Sequence, residues 1–155
     1  DEKIGHSYDQ QLSTSKAKKK GKEIRSAFID AVDGLGPLLE AIKKTAEKGS
    51  IRSIDGRKIA VDSPHKALNY LLQSGAGVIA KRWMVINQDH IKELKLCCSQ
   101  LAFVHDELQF EVEPKHADDL CSSLVLAATE AGEYYNMRIR IDAEAVKGKD
   151  WSTTH

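Results

Sequence analysis

The chain has no long apolar run. Its most apolar stretch, 76–86, is interrupted by Lys81 and Arg82 and falls well short of the roughly 20 residues a membrane-spanning helix requires. Nothing in the first residues has the basic, apolar and small-residue order of a secretory signal. Cysteine is scarce. Of three cysteines, two are adjacent at Cys97 and Cys98, with neither the spacing of a zinc site nor the even count of a disulfide framework. Reduced, structural thiols in an intracellular protein are the expectation. Net charge is missing too: 23 Lys and Arg balance 23 Asp and Glu, so the chain as a whole lacks the basic footprint usual for nucleic-acid binding.

What is present is an ordinary globular composition, 41% apolar and 30% charged, unlike that of disordered or membrane chains. A compact fold of 155 residues buries about 70% of the surface its unfolded chain exposes. The charge is unevenly spread. Five lysines crowd into 16–22, whereas Glu107, Glu111, Glu113, Asp118 and Asp119 gather in the C-terminal half. The lysine run reads as a solvated linker or helix start ahead of a phosphate-contacting loop.

Residues 1–17 show weak periodicity and read as loop or a short helix. Beyond Gly21, Ile24, Phe28 and Ala31, then Leu35, Leu38, Leu39 and Ile42, recur at helical spacing, which predicts two helices parted at Asp33-Gly34 and ended by Gly49. The Asp55-Gly56 pair between 51–54 and 57–61 predicts a hairpin. Ser63-Pro64 has the cap and first-position residues of a helix start, and that helix is expected to reach about Ile86. Leu68, Leu71, Leu72, Ile79 and Trp83 would form its apolar face, with Asn69 and Gln73 side by side on another. Gly75-Ala76-Gly77 in its middle costs about 1 kcal/mol per glycine relative to alanine and suggests a close neighbour, a chain segment before a nucleic-acid backbone. Residues 101–104 and 108–112 alternate as strands, 114–134 form a further helix, and 138–145 alternate again as a last strand. The fold class this order predicts is α+β, an antiparallel sheet covered by helices.

The chemistry concentrates at His105-Asp106-Glu107, between the two strands. Adjacent carboxylates on rigid β backbone suit a hard cation such as Mg²⁺, which takes one or two protein carboxylates together with substrate phosphates. By itself the triplet fits a surface turn better than a metal site.

Its surroundings alter that balance. Val104-His105-Asp106-Glu107 inside an apolar hairpin resembles the third sequence motif of family-A DNA polymerases, the pol I type, in their phage replicative branch. Asp55-Gly56-Arg57-Lys58, Ser63-Pro64-His65, Ala67-Leu68-Asn69 and Leu72-Gln73-Ser74 resemble, in the same order, the segment leading through that family's long palm helix. Asp1-Glu2-Lys3-Ile4-Gly5 resembles the stretch after the fingers helix, and Gly148, Trp151 and His155 the family's C-terminal ending. The resemblance implies a palm-type sheet with a helical part from the fingers at 1–50 and a palm subdomain at 51–155. It implies that Asp106 ligates the catalytic Mg²⁺ pair, with Glu107 a secondary carboxylate and His105 against the primer terminus. Asn69 and Gln73 would reach the minor-groove side of the newest base pairs, where acceptors are alike for every pair. His65, Arg57 and Lys58 would hold primer-strand phosphates.

Each of these residues also has a plain reading, as a solvated helix face or an exposed strand residue; their common order is what favours the polymerase. The same resemblance implies that the first catalytic carboxylate and the nucleotide-binding fingers helix, and with it the dNTP site, lie outside these 155 residues. The chain is therefore expected to be inactive alone and to need an upstream polymerase segment, in a bacterial or phage-infected cytoplasm. The competing reading is a non-catalytic module that keeps the palm fold to bind DNA or a replisome partner. Apolar helix faces left uncovered would favour self-association.

Overall fold

The computed structural model of the chain describes residues 1–154; His155, part of the C-terminal resemblance, lies outside them. The order is α1 (Glu2–Tyr8), α2 (Thr14–Ala31), α3 (Leu35–Ala46), β1 (Ser50–Arg52), β2 (Lys58–Ala60), α4 (Ala67–Glu93), β3 (Cys98–Val104), β4 (Glu107–Val112) and α5 (Ala117–Tyr134). The strands form two separate two-stranded sheets, β1 with β2 and β3 with β4. The α+β class holds. The chain divides into two compact units: Asp1–Ile51 with Lys58–Tyr70, and Arg52–Arg57 with the chain from Leu71 onward.

In the first unit, α1 and α2 cross at glycine. A Cβ on Gly5 would stand 1.9 Å from the Ala17 carbonyl oxygen, and one on Gly21 1.7 Å from that of Asp1, so only a hydrogen fits at either place. Ion pairs flank the crossing, Lys18 with Glu2 at 3.3 Å and Arg25 with Asp1 at 3.7 Å, and the Lys20 ammonium sits 4.9 Å from the centre of the Tyr8 ring. The lysine run is thus helical, in the first half of α2. Phe28, expected on a core face, is 62% exposed: its periodicity matched α2, but α1 covers α2 along Ala17 and Gly21 instead. Gly34, with φ 77, precedes α3, and Gly49, with φ 80, follows it. The Val61 amide then donates to the Gly49 carbonyl at 3.0 Å.

Pro64 opens a short 3-10 turn, Pro64–Lys66, that runs into α4. Ahead of it, Asp62 accepts from Lys66 Nζ and from the Tyr70 hydroxyl, both at 2.9 Å, and those two donors hold its carboxyl below the usual carboxylate range.

In the second unit, α4 runs about two turns past its expected end, to Glu93. Leu71, Ile79 and Trp83 are partly covered, but Leu72 is 61% exposed; the helix has a narrower apolar stripe than its leucines suggest. Gly75 is buried, with its Cβ position 3.8 Å from Ile54 Cγ2, so a chain segment is the neighbour there, while around Gly77 nothing comes within 4 Å. Ile91, Leu96 and Leu120 form a core on which Cys98, Phe110, Val112 and Leu124 pack, joining the β3–β4 hairpin to α4 and α5. Each such side chain contributes about 1.5–3 kcal/mol when fully buried.

A polar layer lies beside that core. Asn87 is 1% exposed; the Ser123 hydroxyl donates to its Oδ1 at 2.8 Å and lies 3.4 Å from His90 Nδ1, while His90 Nε2 meets Glu130 at 3.0 Å. Trp83 Nε1 donates to the Leu124 carbonyl at 2.8 Å, and the Arg82 guanidinium stacks 3.9 Å from the centre of the Tyr134 ring.

The expected last strand is not formed. Residues 138–145 have no ladder partner among the described residues. Ile139 is 70% exposed, whereas Ile141 lies on Gly132 of α5, its Cγ1 2.6 Å from where a Cβ would be. Alternation reported one covered side of this segment, and the cover is a helix surface rather than a neighbouring strand.

Candidate functional site

The β3–β4 hairpin turns on two residues. Its register pairs Cys98 with Val112, Gln100 with Phe110, Phe103 with Leu108, and Val104 with Glu107, with an irregularity between Gln100 and Ala102. Leu101 is the extra residue there and is 64% exposed. Because facing partners share a side, Gln100 and Phe103 point the same way although three residues apart. One face of the hairpin therefore carries Cys98, Phe110 and Val112 toward the core; the other carries Glu107, Gln109 and Glu111.

Val104 and Glu107 close the hairpin, leaving His105 and Asp106 as the turn. His105 has φ 56, a left-handed conformation that few non-glycine residues adopt and that needs support from surrounding structure. Both turn residues are exposed, and among the described residues Asp106 makes no hydrogen bond or ion pair. Glu107 is half-buried and accepts a hydrogen bond from Gln109 Nε2 on the same face. The donor set at the turn is thus one solvent-facing carboxylate followed by a second that is engaged along the strand. Oxygen donors of this kind suit Mg²⁺, which retains waters and takes phosphate oxygens as further ligands. They are too few for a closed site: among the described residues no group of three or more His, Cys, Asp or Glu is arranged to hold a metal ion.

The second unit also holds the turn that carries Arg57 against α4. The Ser53 amide donates to the Arg57 carbonyl at 2.9 Å, and the Ser53 hydroxyl donates to Ser74 Oγ at 3.0 Å, which in turn donates to the Leu71 carbonyl. With Ile54 against Gly75, these contacts dock the 53–57 turn on α4 one residue beyond Gln73. The Arg57 guanidinium grips Asp55 at 2.6 Å. Desolvation at the turn pushes the Asp55 carboxyl up, but the Arg57 amide and guanidinium outweigh it and hold the group below its usual value. Arg57 is therefore poised rather than loose.

Lys58, His65 and Asn69 belong to the first unit, and all three are exposed, on β2, on the 3-10 turn and on α4. Asn69 and Gln73 are exposed one helical turn apart on α4. Sequence reasoning missed the supports: Ser53 with Ser74, and Asp62 with Lys66 and Tyr70. For the second set the four- and eight-residue spacings from Asp62 were a usable signal; a serine pair 21 residues apart leaves none.

Of two open depressions, one of about 780 Å³ beside Asp1, Lys3 and His6 and one of about 330 Å³ beside His90, Asp119 and Ser123, neither is lined by a residue of the hairpin turn. Among the described residues no helix is long and apolar enough to cross a membrane.

Known proteins carry the same organisation. The chain is 29% identical over its whole length to the DNA-directed DNA polymerases of Enterobacteria phage T3 and Escherichia phage T7, covering 24% of each. It is 30% identical over 87% of its length to that of Escherichia phage Phieco32, covering 23% of it. The chain thus spans about a quarter of the length of these relatives. Its fold matches the polymerase domain of Pol1 from M. smegmatis, solved in complex with DNA primer-template and dNTP, with a TM-score of 0.79 and 24% identity over 97% of this chain and 28% of that one. The model of DNA polymerase family A matches residues 6–153, which take in both hairpins, the Pro64 helix start and the His105-Asp106 turn, and with that match the chain belongs to DNA polymerase family A.

Proposed function

We propose that the chain is the palm-forming part of a DNA-directed DNA polymerase and that Asp106 is one of its metal-ligating carboxylates. The observation that carries this is a solvent-facing Asp106 on a two-residue turn with His105 in the left-handed region, in a chain matched by the family-A model across both hairpins. A bound magnesium pair would neutralise charge developing on the transferring phosphoryl group and on the attacking hydroxyl. The protein's own share is to hold Asp106 at fixed depth through the core beneath β3 and β4, with Glu107 restrained by Gln109 as a secondary carboxylate. His105 stands at the turn against the primer terminus. Asn69 and Gln73 sense the newest base pairs from the minor groove, and Arg57, Lys58 and His65 meet primer phosphates.

Two-metal chemistry needs convergent carboxylates, and no such cluster forms among the described residues. The reading therefore requires an upstream polymerase segment for the second carboxylate and the dNTP site, with primer-template DNA as substrate and the bacterial cytoplasm as setting. The test is primer extension by this chain mixed with the upstream part of a related phage polymerase, with Mg²⁺. Extension above that of either part alone, lost in Asp106→Ala, is the expected result. Extension by the chain alone would overturn the need for a partner. DNA binding unchanged by Asp106→Ala, with no extension on mixing, would instead favour a binding module that keeps the palm fold.

A further inference from the structure

We propose that the solvent face of α2 is a docking site for the phosphates of a nucleic-acid strand, held by Lys16, Lys19 and Lys22. The zero net charge of the chain conceals two opposite halves. Asp1–Ile51 with Lys58–Tyr70 holds twelve Lys and Arg against nine Asp and Glu, a net +3, and the remainder is −3. Within the first unit, the carboxylates near α2 are already engaged: Glu2 by Lys18, Glu23 by Lys20 and Asp1 by Arg25. Lys16, Lys19 and Lys22 are exposed and meet no carboxylate among the described residues.

Their placement is ordered. At 3.6 residues per turn the three lie within about 120° of the helix circumference, centred about 180° from Ala17 and Gly21, the side packed on α1, and span about 9 Å along the axis. A strand carries one phosphate per ~3.4 Å of duplex axis, so lysine side chains on this stripe reach neighbouring phosphates of one strand. The pattern also works against α2 itself. Cations near a helix N-terminus oppose the macrodipole, the first turn of α2 has no acidic residue, and the pairs Lys16 with Lys20 and Lys18 with Lys22 repel at i,i+4. A polyanion relieves all three. The lysines of α3 differ: Lys43 and Lys44 occupy its last turn, where cations are favourable without any ligand.

The site is independent of the hairpin chemistry, so the test is made in Asp106→Ala as well as in the native sequence. Binding of a fluorescent single-stranded and a duplex DNA oligonucleotide is followed by anisotropy across a salt series. For K16Q/K19Q/K22Q the slope of log K against log salt is expected to fall by about 2 on the single strand and about 2.7 on duplex, and affinity at 0.1 M salt by roughly a hundredfold; if only one form shows its own expected fall, that form is the one that docks. With no DNA present the same variant should melt at a higher temperature than the parent, which also shows that it folds. The proposal is overturned if the slope is unchanged, if K43Q/K44Q/K48Q lowers it equally, or if poly-glutamate displaces the probe as well as unlabelled DNA does.

Discussion

Replacing one glycine with alanine should have opposite effects at two places in this chain, and the sign follows from geometry. In a helix interior, alanine is favoured over glycine by about 1 kcal/mol. At Gly77 of α4 nothing lies within 4 Å of the added methyl, so Gly77→Ala should realise most of that gain. For a chain of this size about 1 kcal/mol corresponds to a 2–4 °C rise in Tm. At Gly5 of α1 the same methyl would lie 1.9 Å from the Ala17 carbonyl oxygen, 2.5 Å from its carbon and 2.7 Å from its Cα. These are backbone atoms with no rotamer to yield, and ordinary contact begins near 3.4 Å, so α1 must back away by about 1.5 Å. Overpacking of this kind costs about 1–3 kcal/mol, which outweighs the helix-propensity gain. The loss is limited by the free energy of releasing α1, so local release is the expected response. Thermal melts followed by circular dichroism, with amide hydrogen exchange over residues 2–8, provide the assay. Gly77→Ala should melt higher with exchange unchanged, while Gly5→Ala should melt no higher than the parent, with amides of α1 exchanging faster. A Gly5→Ala variant stabilised like Gly77→Ala, with protected α1 amides, would refute the crossing.

Ser123→Ala should lower stability by about 1–3 kcal/mol, because it strips the donor from Asn87 Oδ1 where water does not reach; Ser122→Ala, on the exposed side of α5, should change it by under ~0.5 kcal/mol, and comparable denaturant midpoints for the two would contradict the buried pair. At Cys97 the hydrogen bond to the Glu113 carboxylate, and then that group's charge, push the thiol up, leaving less thiolate near neutral pH. Glu113→Gln should therefore speed iodoacetamide alkylation of Cys97 at pH 8, with the advantage vanishing at strongly alkaline pH; slower alkylation in the variant would reverse the assigned cause. Exposed Phe28, Leu72, Leu101 and Ile139 predict concentration-dependent self-association by sedimentation velocity, and a single monomer boundary at high concentration would count against it.

Much of the fold was legible wherever a local rule acts alone. The Asp55-Gly56 turn, the Pro64 helix start and the helix up to Tyr134 follow from turn chemistry, capping and period, and each stands where those rules put it. The hairpin turn was legible too, as a break between two alternating runs. What escaped depends on partners distant in the chain. Residues 138–145 alternate because one side is covered, and alternation does not say whether a strand or a helix does the covering. Leu72 and Phe28 satisfy helical spacing, yet exposure is decided by how wide a stripe the neighbouring elements cover. The serine pair at 53 and 74 and the Asn87 layer left no periodic trace, since a single buried hydrogen bond has no repeat to detect.

The additional residue at Leu101 acts as a phase shift in the β ladder. On β3 the alternation changes phase there, so Gln100 and Phe103 keep one face although three residues part them. β4 has no such insertion, and its alternation runs unbroken from Val112 and Phe110, on the core, to Glu107 beside the turn. The direction of the His105-Asp106 tip is therefore tied to the core through β4 alone, and deleting Leu101 would restore plain alternation on β3 while leaving the acidic turn where it is. A one-residue deletion in β4 between Glu107 and Phe110 would instead set the turn against the opposite face, so the two strands of one hairpin differ in how far their length may vary.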